Sequence, residues 1–234
     1  MDAKSKKMSP LKLGLNVVMT TLFFPAITLL LAGNWRWAEG WIFALWLVVM
    51  ILFSLIYLYW KDPVLLTERT KAPGSDNQKP WDKILMGSLL SLALLWLVIL
   101  PLDAERFHWS PAFPLWLKIL GGVALLPALY LIERAVIDNT YLSAMVRVQS
   151  ERKQRVITTG VYGFVRHPLY LGCMLMMLGA SFMIGSVCGL IIALVALLVL
   201  TGRIIGEEKM MLEELEGYEA YQKKVKYRLI PFVW

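Results

Sequence analysis

No charged residue interrupts the chain from His167 to Gly202. A helix that crosses a bilayer needs about 20 apolar residues, and as one continuous helix this run would be about 54 Å long. It is too long for one crossing and long enough for two. Gly185-Ser186 lies midway and suits a tight turn, so the run predicts a hairpin of two short helices. Four other charge-poor stretches have spanning length: Leu13–Trp35, Gly40–Trp60, Ile84–Leu102 and Pro114–Ile132, the last with Lys118 near its mouth, where its stem can snorkel outward. Six spans result. Backbone groups in lipid must be satisfied within the segment or by a closed barrel. These runs are continuously apolar rather than alternating, which argues against a barrel. The expected fold class is an all-α polytopic membrane protein with about six transmembrane helices, a C-terminal helical hairpin and a cytoplasmic helical tail.

Charge placement tests that count. With the N-terminus inside, every lysine and arginine of the 24 except Arg36, Arg106 and Lys118 falls on the inner side, as the positive-inside bias requires. Five spans would scramble the sorting. The net charge of +7 is thus a topology signal and needs no nucleic acid to explain it. Mean hydropathy of +0.60, ten tryptophans and nine tyrosines suit a bilayer with aromatic belts at its faces. The start, "MDAKSKKMSPLKLGLNVV", is read as basic residues leading into a retained first helix. Cys173 and Cys188 lie inside apolar segments and behave as small hydrophobes.

Three stretches lie outside the spans. Residues 61–83 read as a polar loop rich in turn formers. Residues 133–167 form a connector, helical to about Val148. Residues 203–234 are a charged tail, helical through about Tyr221. Glu133 and Arg134 read as a membrane-edge pair, and Asp138, Asn139 and Tyr141 as candidate site-lining residues. The chain is one integral membrane domain over 1–234, with four spans in 1–132.

The residues with chemical potential gather at the hairpin. The run "GVYGFVRHPLYLG" places Tyr162, Arg166, His167, Pro168 and Tyr170 at its first threshold. Pro168 suits the first helical position, which makes His167 the N-cap and leaves an amide-lined, anion-attracting helix start. Both open ends of a hairpin face the same side, so Arg203 and Glu207 return beside that start. Arg203 and Glu207 share a helix face. Each has a plainer reading: Arg166 as a positive-inside anchor, Arg203 with Glu207 as an exposed helical ion pair. Their convergence favours a site. His108 lies near Trp109 with no second ligand, so no metal is expected. The phosphate-loop, dinucleotide and nucleophile-elbow motifs do not occur.

"VITTGVYGFVRHPLYLG", a hairpin, then "RIIGEEKMMLEELEGYEAYQKKVKYRLIP" resembles the isoprenylcysteine carboxyl methyltransferase family, and is similar also to the related phospholipid methyltransferases. "DPVLLTER" at 62–69 is similar to a stretch of bacterial members. The resemblance covers residues 154–231. It implies a membrane-embedded enzyme that takes S-adenosyl-L-methionine without a dinucleotide-binding domain, with residues 133–234 as the cofactor-binding and catalytic part. It implies cofactor contacts from Val156, Ile157, Tyr162, His167, Pro168, Leu169, Tyr170 and Glu207, and Arg203 facing the methyl acceptor. The acceptor expected is a lipid-linked carboxylate such as a prenylcysteine, with membrane lipids as further partners and no nucleic acid. Glu216-Gly217 and Lys226 depart from the family pattern in the tail that closes over the site. Three other readings stay open: an amine methyltransferase acting on phosphatidylethanolamine, an NADPH-dependent sterol or enone reductase of related fold, and a non-catalytic transporter or scaffold. Against the last, no charge marks an ion path in mid-membrane.

Overall fold

The computed structural model describes residues 8–71, 74 and 78–234; Lys4, Lys6 and Lys7 of the charge-sorting argument lie outside them. Helix α1 spans Pro10–Ala32. Ser9 caps it, its hydroxyl accepting from the Lys12 amide at 3.3 Å, and Pro10 occupies the first position. Helix α2 spans Ala38–Lys61. The next stretch is not wholly the loop expected from its composition. Pro63–Arg69 forms a short helix, α3. Asp62 caps it, accepting from the Leu65 amide at 2.9 Å. Leu65 and Leu66 then pack against Leu58, Tyr59 and Val136. Three consecutive cues decide the matter: a capping aspartate, a first-turn proline and two apolar residues with a place to go.

Helix α4 spans Pro80–Pro101 and continues to Arg106 as one wider turn. Helix α5 spans Leu115–Asp138. It stops well short of Val148, because Asn139 turns extended and its side chain accepts from the Tyr141 amide at 2.9 Å. That local bond competes with helix continuation. The connector then runs through two single turns, Ser150–Arg152 and Gly160–Gly163. Helix α6 spans Pro168–Ile184 and helix α7 Val187–Glu214. Gly185 is left-handed (φ 88°), and Ser186 caps α7 by accepting from the Gly189 amide at 2.8 Å. The hairpin forms where the sequence placed it, but its second arm is not short: α7 passes unbroken through Gly202 and projects about 18 Å beyond it. Helix α8, Tyr218–Lys224, follows a left-handed Gly217.

Among the described residues, five helices are long and apolar enough to cross a membrane; α6, with 17 residues, is a shorter apolar helix paired back on α7. The helix ends sort into two polar groups. At one end, Lys118 pairs with Glu39 at 2.8 Å and the Asn34 side chain donates to Glu105 at 2.6 Å. The Arg106 guanidinium donates to the Leu30 and Leu31 carbonyls there. At the other end lie Asp62, Asp82, Arg147 and Arg203.

Helices α5 and α6 approach closely enough that backbone meets backbone. A Cβ at Gly121 would sit 2.4 Å from the Met183 nitrogen, and one at Gly179 2.9 Å from the Gly121 carbonyl oxygen. Small residues at such crossings give close van der Waals contact where lipid supplies no hydrophobic drive. Gly87 on α4, by contrast, has nothing within 4 Å of its Cβ position. Gly121→Leu is therefore expected to lower stability by more than about 3 kcal/mol, the upper range of ordinary overpacking, while Gly87→Leu leaves it nearly unchanged. Thermal unfolding in detergent checks both; equal melting points for the two variants would contradict the packing argument.

Candidate active site

The site forms where the α6 start, the inner half of α7, the connector and the tail meet. Pro168 opens α6 with no amide hydrogen, and the Leu171 amide donates to the His167 carbonyl at 3.1 Å. The amides of Leu169 and Tyr170 have no acceptor among the described residues, as a helix start leaves them. One face of α7 opposes this start. Glu207 accepts from the Tyr170 hydroxyl at 2.8 Å through Oε2, and its other oxygen has no partner among the described residues.

The neighbouring Glu208 does something different. It is 2% exposed. Arg166 donates to it through Nε at 2.6 Å and Nη2 at 3.2 Å, and Arg228 through Nε at 2.8 Å. The His167 ring nitrogen lies 3.2 Å from Oε1. Arg166 also donates to the Val225 carbonyl at 2.7 Å and the Lys226 carbonyl at 2.9 Å. The Arg166 and His167 amides donate to the Tyr227 and Arg228 carbonyls at 3.0 and 2.9 Å. The tail is thereby stitched to the hairpin threshold. Arg166 is thus not a surface anchor but a buried tie. The altered Lys226 contributes a backbone carbonyl, so its side-chain identity does not enter the stitch. Gly217, half of the other departure, supplies the left-handed turn (φ 85°) into α8.

Arg203 makes no exposed pair with Glu207. Its Nε donates to Asp82 of α4 at 2.8 Å and its Nη2 to the Ala144 carbonyl at 2.6 Å, and it sits over the Tyr170 ring at 5.6 Å. Asp82, fully buried, also accepts from Gln78 at 2.7 Å and the Val146 amide at 2.9 Å. Glu133 and Arg134 do not pair either: Ser54 donates to Glu133 at 2.7 Å, and Arg134 bonds Asp138 at 2.6 Å. Asp138 in turn accepts from the Val161 amide at 3.0 Å. It fills the space where a Cβ on Gly160 would be, 2.0 Å from Oδ2, and Gly160 is left-handed (φ 59°).

These elements enclose a cavity of about 350 Å³. Val156, Ile157, Tyr162, His167, Pro168, Leu169 and Tyr170 all line it, with Arg203 and Glu207 on the α7 side. Asn139 and Tyr141 line it as well; Asp138 does not. Residues the sequence reading left out also face it: Arg69 from α3, and Tyr218 and Tyr221 from α8. The "YEAY" spacing was visible, but its inward direction depends on the tail folding back. The Tyr221 hydroxyl donates to the Tyr162 carbonyl at 2.8 Å and so closes the lid. Burial pushes the Tyr162, Tyr218 and Tyr221 phenols up, well beyond their ordinary range, so all three stay protonated. Away from this polar end the lining turns apolar: Met86, Leu89 and Ala93 of α4, Met177 of α6, Ala193 and Leu197 of α7.

Residues 116–217 match the sequence profile of the phospholipid methyltransferase family. Over 85 residues the chain is 33% identical to the protein-S-isoprenylcysteine O-methyltransferase of Schizosaccharomyces pombe. That stretch is 36% of this chain and 36% of the relative, so the match spans only about a third of the curated protein. The solved structure of the eukaryotic intramembrane Ras methyltransferase ICMT (isoprenylcysteine carboxyl methyltransferase) superposes with a TM-score of 0.54. At 22% identity it covers 94% of this chain and 74% of that one. Over those 85 residues the chain is similar to an isoprenylcysteine methyltransferase, and its fold is like that of the solved one. The profile match takes in α5, the connector, the hairpin and the start of the turn into α8, so the stretch that carries the similarity also supplies most of the site. The four-helix part before it joins the methyltransferase-like part through Asp82 and Arg69.

Glu208→Ala leaves Arg166 and Arg228 without their shared carboxylate. Breaking a buried pair from one side costs about 3–5 kcal/mol. Glu207→Ala loses one half-exposed hydrogen bond, worth about 0.5–1.5 kcal/mol. Thermal unfolding in detergent should therefore rank Glu208→Ala far below Glu207→Ala, and the reverse order would remove Glu208 as the tie.

Proposed function

We propose that this protein transfers a methyl group from S-adenosyl-L-methionine to a hydrophobic, lipid-linked acceptor, with the carboxylate of a prenylcysteine-like molecule as the favoured substrate. One observation carries this reading: a single cavity joins a polar end, fitted for an amino acid, to an apolar end between α4, α6 and α7. At the polar end the open amides of Leu169 and Tyr170 suit a carboxylate. The partner-free oxygen of Glu207 suits an ammonium. A methionine-derived cofactor presents both groups on one carbon. His167, held by Glu208 and stacked on Tyr170 at 5.5 Å, and Pro168 fix the helix start. Val156, Ile157 and Tyr162 form the wall around the rest of the ligand.

When bound, the cofactor supplies a methyl group already activated on sulfur. A carboxylate acceptor then needs no general base, and the protein's task is alignment and exclusion of water, for which orientation alone contributes about 7–11 kcal/mol. Tyr218 and Tyr221 close the water side. Arg203 keeps one terminal nitrogen, Nη1, for the acceptor, and its bonds to Asp82 and Ala144 hold that nitrogen in place. The lipid portion enters from the bilayer into the apolar end. The sorting of basic residues supports a membrane protein whose termini and site face the cytoplasm.

The test is thermal stabilisation in detergent by S-adenosylhomocysteine and by NADPH, followed by methyl transfer to a prenylcysteine analogue and to phosphatidylethanolamine. Stabilisation by adenosylhomocysteine alone and methylation of the carboxylate are expected. Stabilisation by NADPH instead would move the protein to the reductase reading, and phosphatidylethanolamine as the sole acceptor would make it an amine methyltransferase. Glu207→Gln is expected to weaken adenosylhomocysteine binding by about 1.5–3 kcal/mol, the value of a charge-assisted hydrogen bond. Calorimetry that finds wild-type affinity would remove Glu207 from the cofactor site.

A further inference from the structure

The cavity is lined by several guanidinium groups, and most of them are already neutralised. Arg166 is held by Glu208, and Arg203 by Asp82. Arg147 meets Glu68 at 2.8 Å and Glu151 at 2.7 Å. Arg155 is exposed at the mouth. Arg69 differs from all of these. It lines the cavity, is half-buried, and has no carboxylate within 4 Å among the described residues. Among the described residues it makes one hydrogen bond, a long one, from Nη1 to the Leu142 carbonyl at 3.3 Å. A guanidinium carries five donors in a fixed fork, and most of this fork is unused.

The position is built, not incidental. Arg69 ends α3, whose cap Asp62 also accepts from the Thr140 hydroxyl in the connector. Leu65, 0% exposed, anchors the same helix. Burial pushes the Arg69 guanidinium down from its ordinary value, and Cys173, Tyr162, Glu133 and Tyr170 act on it through space. Glu133 is buried with one oxygen taken by Ser54 and the other without a partner, yet it does not reach Arg69. Cys173 lies one turn deeper on α6 than Leu169, so Arg69 stands where the polar end of the cavity gives way to the apolar end. A desolvated cation without a partner is unfavourable, and a carboxylate satisfies its fork bidentately.

We propose that Arg69 is the anchor that receives the carboxylate of the lipid-linked acceptor at the junction of the polar and apolar ends of the cavity. This rests on the methyl-transfer reading above and assigns the acceptor's charge to α3. Arg203 is left as a neutralised neighbour that contributes a hydrogen bond. The other carboxylate in the reaction is that of the cofactor, which the open α6 amides would hold.

The experiment measures binding to the full chain in detergent by calorimetry. The probes are N-acetyl-S-farnesylcysteine, its methyl ester and S-adenosylhomocysteine. The wild type should prefer the acid to the ester by about tenfold or more, as bidentate charge recognition implies. Arg69→Gln should erase that preference while ester and adenosylhomocysteine affinities stay within about threefold of wild type. A purely structural role for Arg69 would weaken acid and ester alike and leave their ratio unchanged; that result overturns the proposal. A selective loss of adenosylhomocysteine binding also overturns it, by giving the carboxylate at Arg69 to the cofactor. If Arg69→Gln does not fold, Arg69→Lys carries the same test: the charge stays, the fork goes, and the acid-to-ester ratio should fall. A wild type that binds the acid selectively but not adenosylhomocysteine would remove the methyl-transfer reading and leave the Arg69 assignment standing.

Discussion

A single buried carboxylate, Glu208, decides whether this protein has a closed site. It lies on the part of α7 that projects past the apolar run, and it draws Arg166, His167 and Arg228 onto one point. Arg166 precedes the α6 start and Arg228 belongs to the tail. Through Glu208, three segments distant in sequence become one wall. The arrangement is favourable only because it is complete: each oxygen of Glu208 accepts from a guanidinium, and Arg166 spends its remaining donors on tail carbonyls. A partly filled network of this kind would be worse than an apolar contact.

The second constraint is the Arg203–Asp82 pair, which ties α7 to α4 and, through Ala144 and Val146, to the connector. Between these two ion pairs the cavity is fixed from both sides. The lid side is held by Glu208, and the membrane side by Asp82. Adjacent acidic residues on α7 thus divide the labour. Glu208 faces the tail and is saturated, whereas Glu207 faces the cavity and retains a free oxygen. Helical geometry explains the division, since neighbouring residues on a helix point about 100° apart and cannot share a function.

The neutralisation of most charges around the cavity also gives the remaining ones meaning. Structural arginines are recognisable because each is paired with a carboxylate. Glu207 and Arg69 have no ion-pair partner among the described residues, and the two lie on different helices that line one cavity. An apolar pocket with a few convergent, unsatisfied polar groups is the usual form of a small-molecule site.

Much of this was legible in the sequence by itself. The membrane class, the helix runs and the hairpin turn at Gly185-Ser186 follow from the length of charge-free stretches and the fixed rise of a helix. The hairpin also brings the α6 start beside Arg203 and Glu207 by simple topology, and Pro168 marks the helix start because only a proline gives up no hydrogen bond there. What the sequence did not determine was which charges pair. Arg203 met Asp82 across 121 positions rather than Glu207 one turn away, and Arg166 met Glu208 rather than water. The early end of α5 and the short helix α3 likewise depended on side-chain bonds whose partners or packing faces lie in the fold. Pattern reading sees periodicity along one element, whereas the pairing of buried charges is settled by which elements pack together, because only a desolvated ion with a satisfied partner survives inside. That choice belonged to the tertiary structure alone.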